Sequence, residues 1–132
     1  MLTPADQIGS IRVRWAKGQL VADLIDTPTA CKLMEVLPFQ AKASRWGDEV
    51  YFKTPVETML EPDAQQVVDP GTVCFWVKGH SLAIPFGPTP VSEAQECRLV
   101  EKVNLLGKVR GDPTILRSVQ DGDSIWVESA AR

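Results

Sequence analysis

Between Ile8 and Trp15 apolar and charged residues take turns, with Ile11, Val13 and Trp15 on one side of an extended chain and Arg12 and Arg14 on the other. A period of two marks a strand with one face in a core and the other in water. Lys17-Gly18 makes a turn and Gln19 to Ile25 continues as a second strand, so the pattern predicts an opening hairpin. Asp26-Thr27-Pro28 then signals a helix start, with Thr27 as N-cap and Pro28 in the first turn. Cys31, Leu33, Met34 and Leu37 give that helix an apolar stripe, and Pro38 stops it.

Phe39 to Trp46 returns to strand. Gly47-Asp48 turns the chain, and Glu49 to Lys53 alternates again, with Val50 and Phe52 opposite Glu49, Tyr51 and Lys53. Pro55 to Asp69 has no clear period and is expected to be a long crossing. Asp69-Pro70-Gly71 is a tight-turn signal feeding Thr72 to Val77. Lys78-Gly79 leads into Ser81 to Phe86, which Pro85, Pro88 and Pro90 end in an irregular loop. Lys102 to Arg110 resumes a β pattern around Gly107. Asp112-Pro113 opens a short helix running to Val119, and Asp121-Gly122-Asp123 turns into a last strand, Ser124 to Glu128. The count is about eight strands and two short helices, which predicts one mostly-β domain over residues 1–132, a closed barrel or a sandwich with helices capping its ends.

Composition narrows the function classes. The 132 residues carry 14 Lys and Arg against 17 Asp and Glu, a formal charge of −3. A duplex-binding surface would show a basic excess or stripe, and none is present, so no nucleic-acid partner is expected. Cys31, Cys74 and Cys97 form no CxxC pair, which argues against a disulfide framework or a zinc site. Cys74, inside the run Val73 to Val77, reads as a small buried hydrophobe. His80 is the single histidine and lies in a Lys-Gly-His-Ser turn, where exposure is expected. No metal set and no Gly-rich phosphate loop appears, so no cofactor is expected. Met1 to Gln7 lacks the regions of a signal peptide, and no apolar stretch reaches the ~20 residues that span a bilayer. A cytoplasmic location without a membrane partner is the default.

Two features carry candidate chemistry. Leu82, Ile84 and Phe86 share one face of a strand whose other face bears Ala83 and Pro85. Such a strand is covered on both sides or floors a groove. The segment Arg45 to Phe52 is dense in aromatics and charge. Trp46, Tyr51 and Trp76 form either a recognition surface or part of the core. Glu49 and Tyr51 share a face, and Arg45 is placed to pair with Glu49 or Asp48 as a weak solvated bridge. The candidate groove therefore comprises Arg45, Glu49, Tyr51, Trp76, Ile84 and Phe86.

At WGDEVYF (Trp46 to Phe52), with Thr54-Pro55-Val56, then PGTVCFW (Pro70 to Trp76), FGPTPVS (Phe86 to Ser92) and VNLLGKVRGD (Val103 to Asp112), the chain resembles the small bacterial and archaeal cyclophilin-like proteins, atypical relatives of the peptidyl-prolyl isomerases. The resemblance covers nearly the whole chain and implies a closed eight-stranded barrel capped by two short helices. Cyclophilins use an arginine on the outer barrel face to assist rotation about the prolyl bond, whose slowness is the problem they solve. By the same resemblance Ala41 falls where the arginine belongs, Ile84 at the pocket phenylalanine, Val103 at the pocket histidine and Val77 at an asparagine. Arg45 lies four residues beyond, which is ~13 Å along a strand. The resemblance thus implies a barrel that binds a small molecule or peptide in an outer groove without efficient isomerisation. A weak or divergent prolyl isomerase is the alternative, and a module that dimerises through its outer strand is a third reading.

Overall fold

The computed structural model describes residues 7–130. The opening hairpin forms as its alternation predicts: β1 (Gln7–Trp15) pairs antiparallel with β2 (Gly18–Ile25), setting Val13 opposite Leu20 and Ile11 opposite Ala22. These four side chains are buried in one cluster. Helix α1 (Pro28–Glu35) starts where the Thr27 hydroxyl accepts the Ala30 amide hydrogen. It buries Ala30 and Leu33 against the same core. The chain then runs through β3 (Phe39–Lys42), β4 (Ser44–Arg45), β5 (Glu49–Lys53), β6 (Gln65–Val68), β7 (Thr72–Trp76), β8 (Ser81–Pro85), β9 (Cys97–Val109) and β10 (Ser124–Ala130). A 3₁₀ helix at Pro113–Ser118 precedes β10; Leu116 from it is buried, and the Trp15 indole N–H donates to the Ser118 hydroxyl at 2.8 Å.

The strands follow the order β3-β10-β1-β2-β9-β7-β8-β5-β4, with β6 attached to β9 off this path. The fold is mostly β, but the implied closed eight-stranded barrel is not what the backbone hydrogen bonds make. Nine of the ten strands form a path whose ends, β3 and β4, do not pair with each other. The reason lies at Ala43. The expected single strand Phe39–Trp46 breaks there, because Ala43 exchanges two backbone hydrogen bonds with the turn before β10, giving its N–H to the Asp123 carbonyl and accepting from Gly122. One residue thus joins the two ends of the sheet, and side chains rather than a ladder span the seam: the Phe39 and Phe52 rings lie 6.5 Å apart. Inside the curl Leu24, Phe52, Phe75, Leu82, Ile84, Leu106 and Ile125 are fully buried.

β9 begins five residues earlier than the sequence pattern suggested, at Cys97 rather than Lys102, and serves two layers. Its first half pairs with β6, with Cys97 opposite Val68 and Val103 opposite Gln65. Its second half joins β7 and β2 in the main sheet. Asn104 stands at the change-over. Its buried amide donates to the Thr29 hydroxyl at 3.0 Å and the Met59 carbonyl at 2.9 Å, and its oxygen accepts from the Glu61 N–H at 2.7 Å. The crossing segment is thereby fastened to both α1 and β9. A register irregularity opposite Val73 and Cys74 follows. It lets Leu106 and Val109, three apart and so on opposite faces of a regular strand, both reach the main core.

Gly107 lies between Val73 of β7 and Leu24 of β2. A Cβ there would stand 2.0 Å from the Asp23 carbonyl oxygen. Backbone on both sides cannot retreat as a side-chain tip can. Gly107→Ala is therefore expected to lower unfolding free energy by about 3 kcal/mol, at the upper end of overpacking costs. Urea denaturation would show it as a reduced midpoint at unchanged slope.

Candidate functional site

Facing residues on paired strands project to the same side of a sheet. Tyr51 stands opposite Ala83, and Ala83 opposite Cys74, so these three share the outer face of β5, β8 and β7. The β6–β9 layer folds over that face and sets Leu99 and Val103 against Cys74 and Ala83 in a second apolar cluster, separate from the main core. Ser81–Pro85 is consequently buried along its whole length. Between the layers a hollow of roughly 170 Å³ remains. Glu49, Tyr51 and Ala83 line it from the sheet, Leu99, Val100 and Val103 from β9, and the two indoles of Trp46 and Trp76 complete the wall.

Glu49 is the chemical centre of this hollow. It is only 5% exposed, and its Oε1 is buried without a hydrogen-bond partner. Burial among apolar side chains disfavours the charged form and pushes its pKa up to about 8. At neutral pH the group is chiefly a neutral carboxylic acid, able to donate as well as accept. Its backbone is held firmly: the Glu49 carbonyl accepts from the Trp46 N–H at 3.0 Å, and Asp48 exchanges backbone bonds with Phe86 and Pro88. The Pro-rich loop at Gly87 to Pro90 thus clamps the turn that presents Glu49. Gly47 takes a φ of 60° there, and a Cβ on it would press on Thr89 and Pro90.

Trp76 is fixed from two directions. Its indole N–H donates to Glu101 Oε2 at 2.6 Å, while Lys78 approaches the other carboxylate oxygen at 3.3 Å. The indole hydrogen bond is the main reason the Glu101 carboxyl titrates below its usual range. Beneath the ring lies Gly79, where a Cβ would sit 2.2 Å from the indole. Tyr51 meets Trp76 edge-on, with centroids 6.1 Å apart and planes at 87°.

Of the six candidate residues, Glu49, Tyr51 and Trp76 come together here. The other three do not. Ile84 and Phe86 point into the main core, because Leu82, Ile84 and Phe86 follow the inward parity of the strand and Ala83 the outward one. Arg45 is a strut: it donates to the carbonyls of Gly47, Arg117 and Val119, pairs with Asp48 at 3.6 Å and lies 5.2 Å over the Phe86 ring. Of the positions matched to the isomerase pocket, Ala41, Ile84 and Val77 belong to the main core, while Val103 lines the hollow. His80 is half-buried rather than exposed, with Nδ1 3.3 Å from the Val56 carbonyl. Leu99 and Val100 escaped the sequence reading, and Val103 entered it only through the resemblance, at the pocket histidine, although Leu99 and Val103 are four apart and so share a strand face. Glu101, between them on that face, interrupts the apolar pattern because it serves the Trp76 indole. Among the described residues no cluster of three or more metal-ligating side chains occurs.

Fold and sequence agree on kinship. The cyclophilin-like family model matches residues 9–128, and the chain belongs to that family. A hypothetical protein from Archaeoglobus fulgidus, solved in solution, is similar at 30% identity with a TM-score of 0.81, over 97% of this chain and all of that one. No curated protein matches the chain.

The buried acid has a measurable consequence. A carboxyl whose folded pKa lies above its unfolded value contributes stability that is complete below about 4.5 and is lost as pH rises through about 8. At ~1.4 kcal/mol per pH unit, wild-type stability should fall by several kcal/mol across that window. Glu49→Gln, which carries no proton to lose, should flatten the decline. Urea unfolding of both proteins between about pH 5 and 8 checks this, and parallel curves would show that Glu49 is not the group responsible.

Proposed function

We propose that this protein is a binding module whose outer hollow receives the small end of a ligand, or one side chain of a peptide, without isomerising a prolyl bond. The observation that carries this reading is the buried, unpartnered Glu49 Oε1 in an otherwise apolar hollow. Leaving a carboxyl oxygen unpaired costs free energy that folding would ordinarily avoid, and a ligand group that bonds it recovers that loss. The size of the hollow supports a head group rather than a whole drug-sized ligand, whose sites run to ~300 Å³ or more. Arg45 is committed to three carbonyls and the Phe86 ring, and among the described residues no arginine lines the hollow, which supports a non-catalytic role. The unpaired thiols of Cys31, Cys74 and Cys97 suit a reducing compartment such as the cytoplasm.

The four indole N–H signals make a built-in test. Those of Trp46 and Trp76 should shift in NMR spectra when small amides, amines or proline peptides are added, whereas Trp15, bonded to Ser118, and Trp126 on β10 should not. Ala83→Leu fills the hollow and should abolish the shifts while the protein stays folded. Shifts that survive Ala83→Leu, or none with any probe, would remove the proposal. In a coupled peptide assay the rate should equal the uncatalysed background; a rate above it across several proline peptides would favour the isomerase reading instead.

A further inference from the structure

We infer that the group received by the hollow is a methylated ammonium, a tertiary or quaternary organic cation held between aromatic walls and the Glu49 carboxylate. This inference rests on the hollow being a binding site and names the chemistry of its occupant. Three of the chain's five Trp and Tyr side chains, Trp46, Tyr51 and Trp76, line this one space. Aromatic faces attract cations electrostatically, most strongly where water is displaced. Tyr51 and Trp76 meet edge-to-face at 87°, so two crossed rings rather than one stacked slab border the hollow. Glu49 becomes the charge partner once its proton leaves: its Oε1 is buried and unbonded, and among the described residues no Lys or Arg lines the hollow to compensate it. A cationic ligand that displaces the proton supplies the compensating charge.

The degree of methylation follows from hydrogen-bond supply. A primary ammonium brings three N–H donors and needs an acceptor for each. The Trp76 indole is a donor already given to Glu101, the Trp46 indole is likewise a donor, and the remaining wall is aliphatic apart from the Tyr51 hydroxyl. Glu49 can satisfy one or two donors, so an unmethylated ammonium would leave N–H groups stranded at a cost. Methyl groups replace those donors with surface that Leu99, Val100 and Val103 can cover. The net charge of −3 on the chain favours a cation's approach at long range. An anionic ligand would meet an acidic group and no cation, and a purely apolar one would leave Glu49 unpaired.

Isothermal titration with tetramethylammonium and choline, in buffer at about pH 8 so that Glu49 can ionise, tests the inference. The neutral isostere 3,3-dimethylbutan-1-ol serves as control. The cations should bind ~10-fold or more tightly than the isostere, a margin within reach of a desolvated cation–π contact. Glu49→Gln should remove most of that margin, and Tyr51→Leu should weaken cation binding more than Tyr51→Phe, which keeps the ring. A short peptide bearing trimethyl-lysine, compared with its unmethylated twin, separates the two sources of the group. Tighter binding of the methylated peptide than of choline assigns it to a protein side chain, and the reverse to a free small molecule. Equal binding of cation and isostere, preference for the unmethylated peptide, or indifference to Glu49→Gln would overturn the inference. Were neutral probes to enter the hollow and cations not, the binding-module reading would survive and this one would fall; were neither to enter, both would fall.

Discussion

The structure depends on one strand belonging to two layers. A curled sheet can bury a single interior with one face of each strand, leaving the outer face to water. β9 departs from that arrangement because residues 97–103 leave the main sheet to pair with β6, while residues 104–109 stay in it. The change of layer needs a buried polar anchor, since backbone passing between layers gives up ladder partners. Asn104 supplies it, bonding Thr29, Met59 and Glu61 with a side chain that has no solvent access. From that point outward the sheet has a roof, and under the roof Glu49 loses water without gaining a partner.

Much of this plan is written in local pattern. The period of two in β1 and β5 placed their inward and outward faces correctly, and the Thr27-Pro28 start of α1 was legible from capping chemistry alone. Legibility failed where a residue's neighbours come from distant parts of the chain. β6 is four residues long and has a bulge in its pairing, so it leaves little periodic trace. Ala43 looks like any other position in a strand until the turn at Gly122 and Asp123 takes both of its backbone groups. At the site, parity along β5 correctly set Glu49 and Tyr51 together. A strand apolar on both faces, in contrast, does not announce which face meets the larger core, and Ile84 and Phe86 went inward.

Arg45 illustrates the same limit in electrostatic form. A charged residue beside Asp48 and Glu49 in sequence invites a salt-bridge reading, yet most of its hydrogen bonds go to main-chain carbonyls, two of them near the end of the 3₁₀ helix. Its guanidinium also covers Phe86, joined over that ring by Arg117 at 6.0 Å. The planar fork of arginine suits such a multi-carbonyl role, which a lysine could not reproduce. Glu49, its near neighbour, is left to the hollow. Segregating the two charges keeps one group structural and the other chemically available, a local departure from complete polar satisfaction of the kind that concentrates at functional sites.

Trp76, finally, has spent its freedom before any guest arrives. With its ring seated on Gly79 and its nitrogen tied to Glu101, few rotamers are open to it. Recognition by a floppy aromatic loses part of its enthalpy to ordering the side chain, on the order of 1 kcal/mol for each group immobilised. Here that entropy was surrendered during folding, so even a shallow recess with few contacts can discriminate by shape.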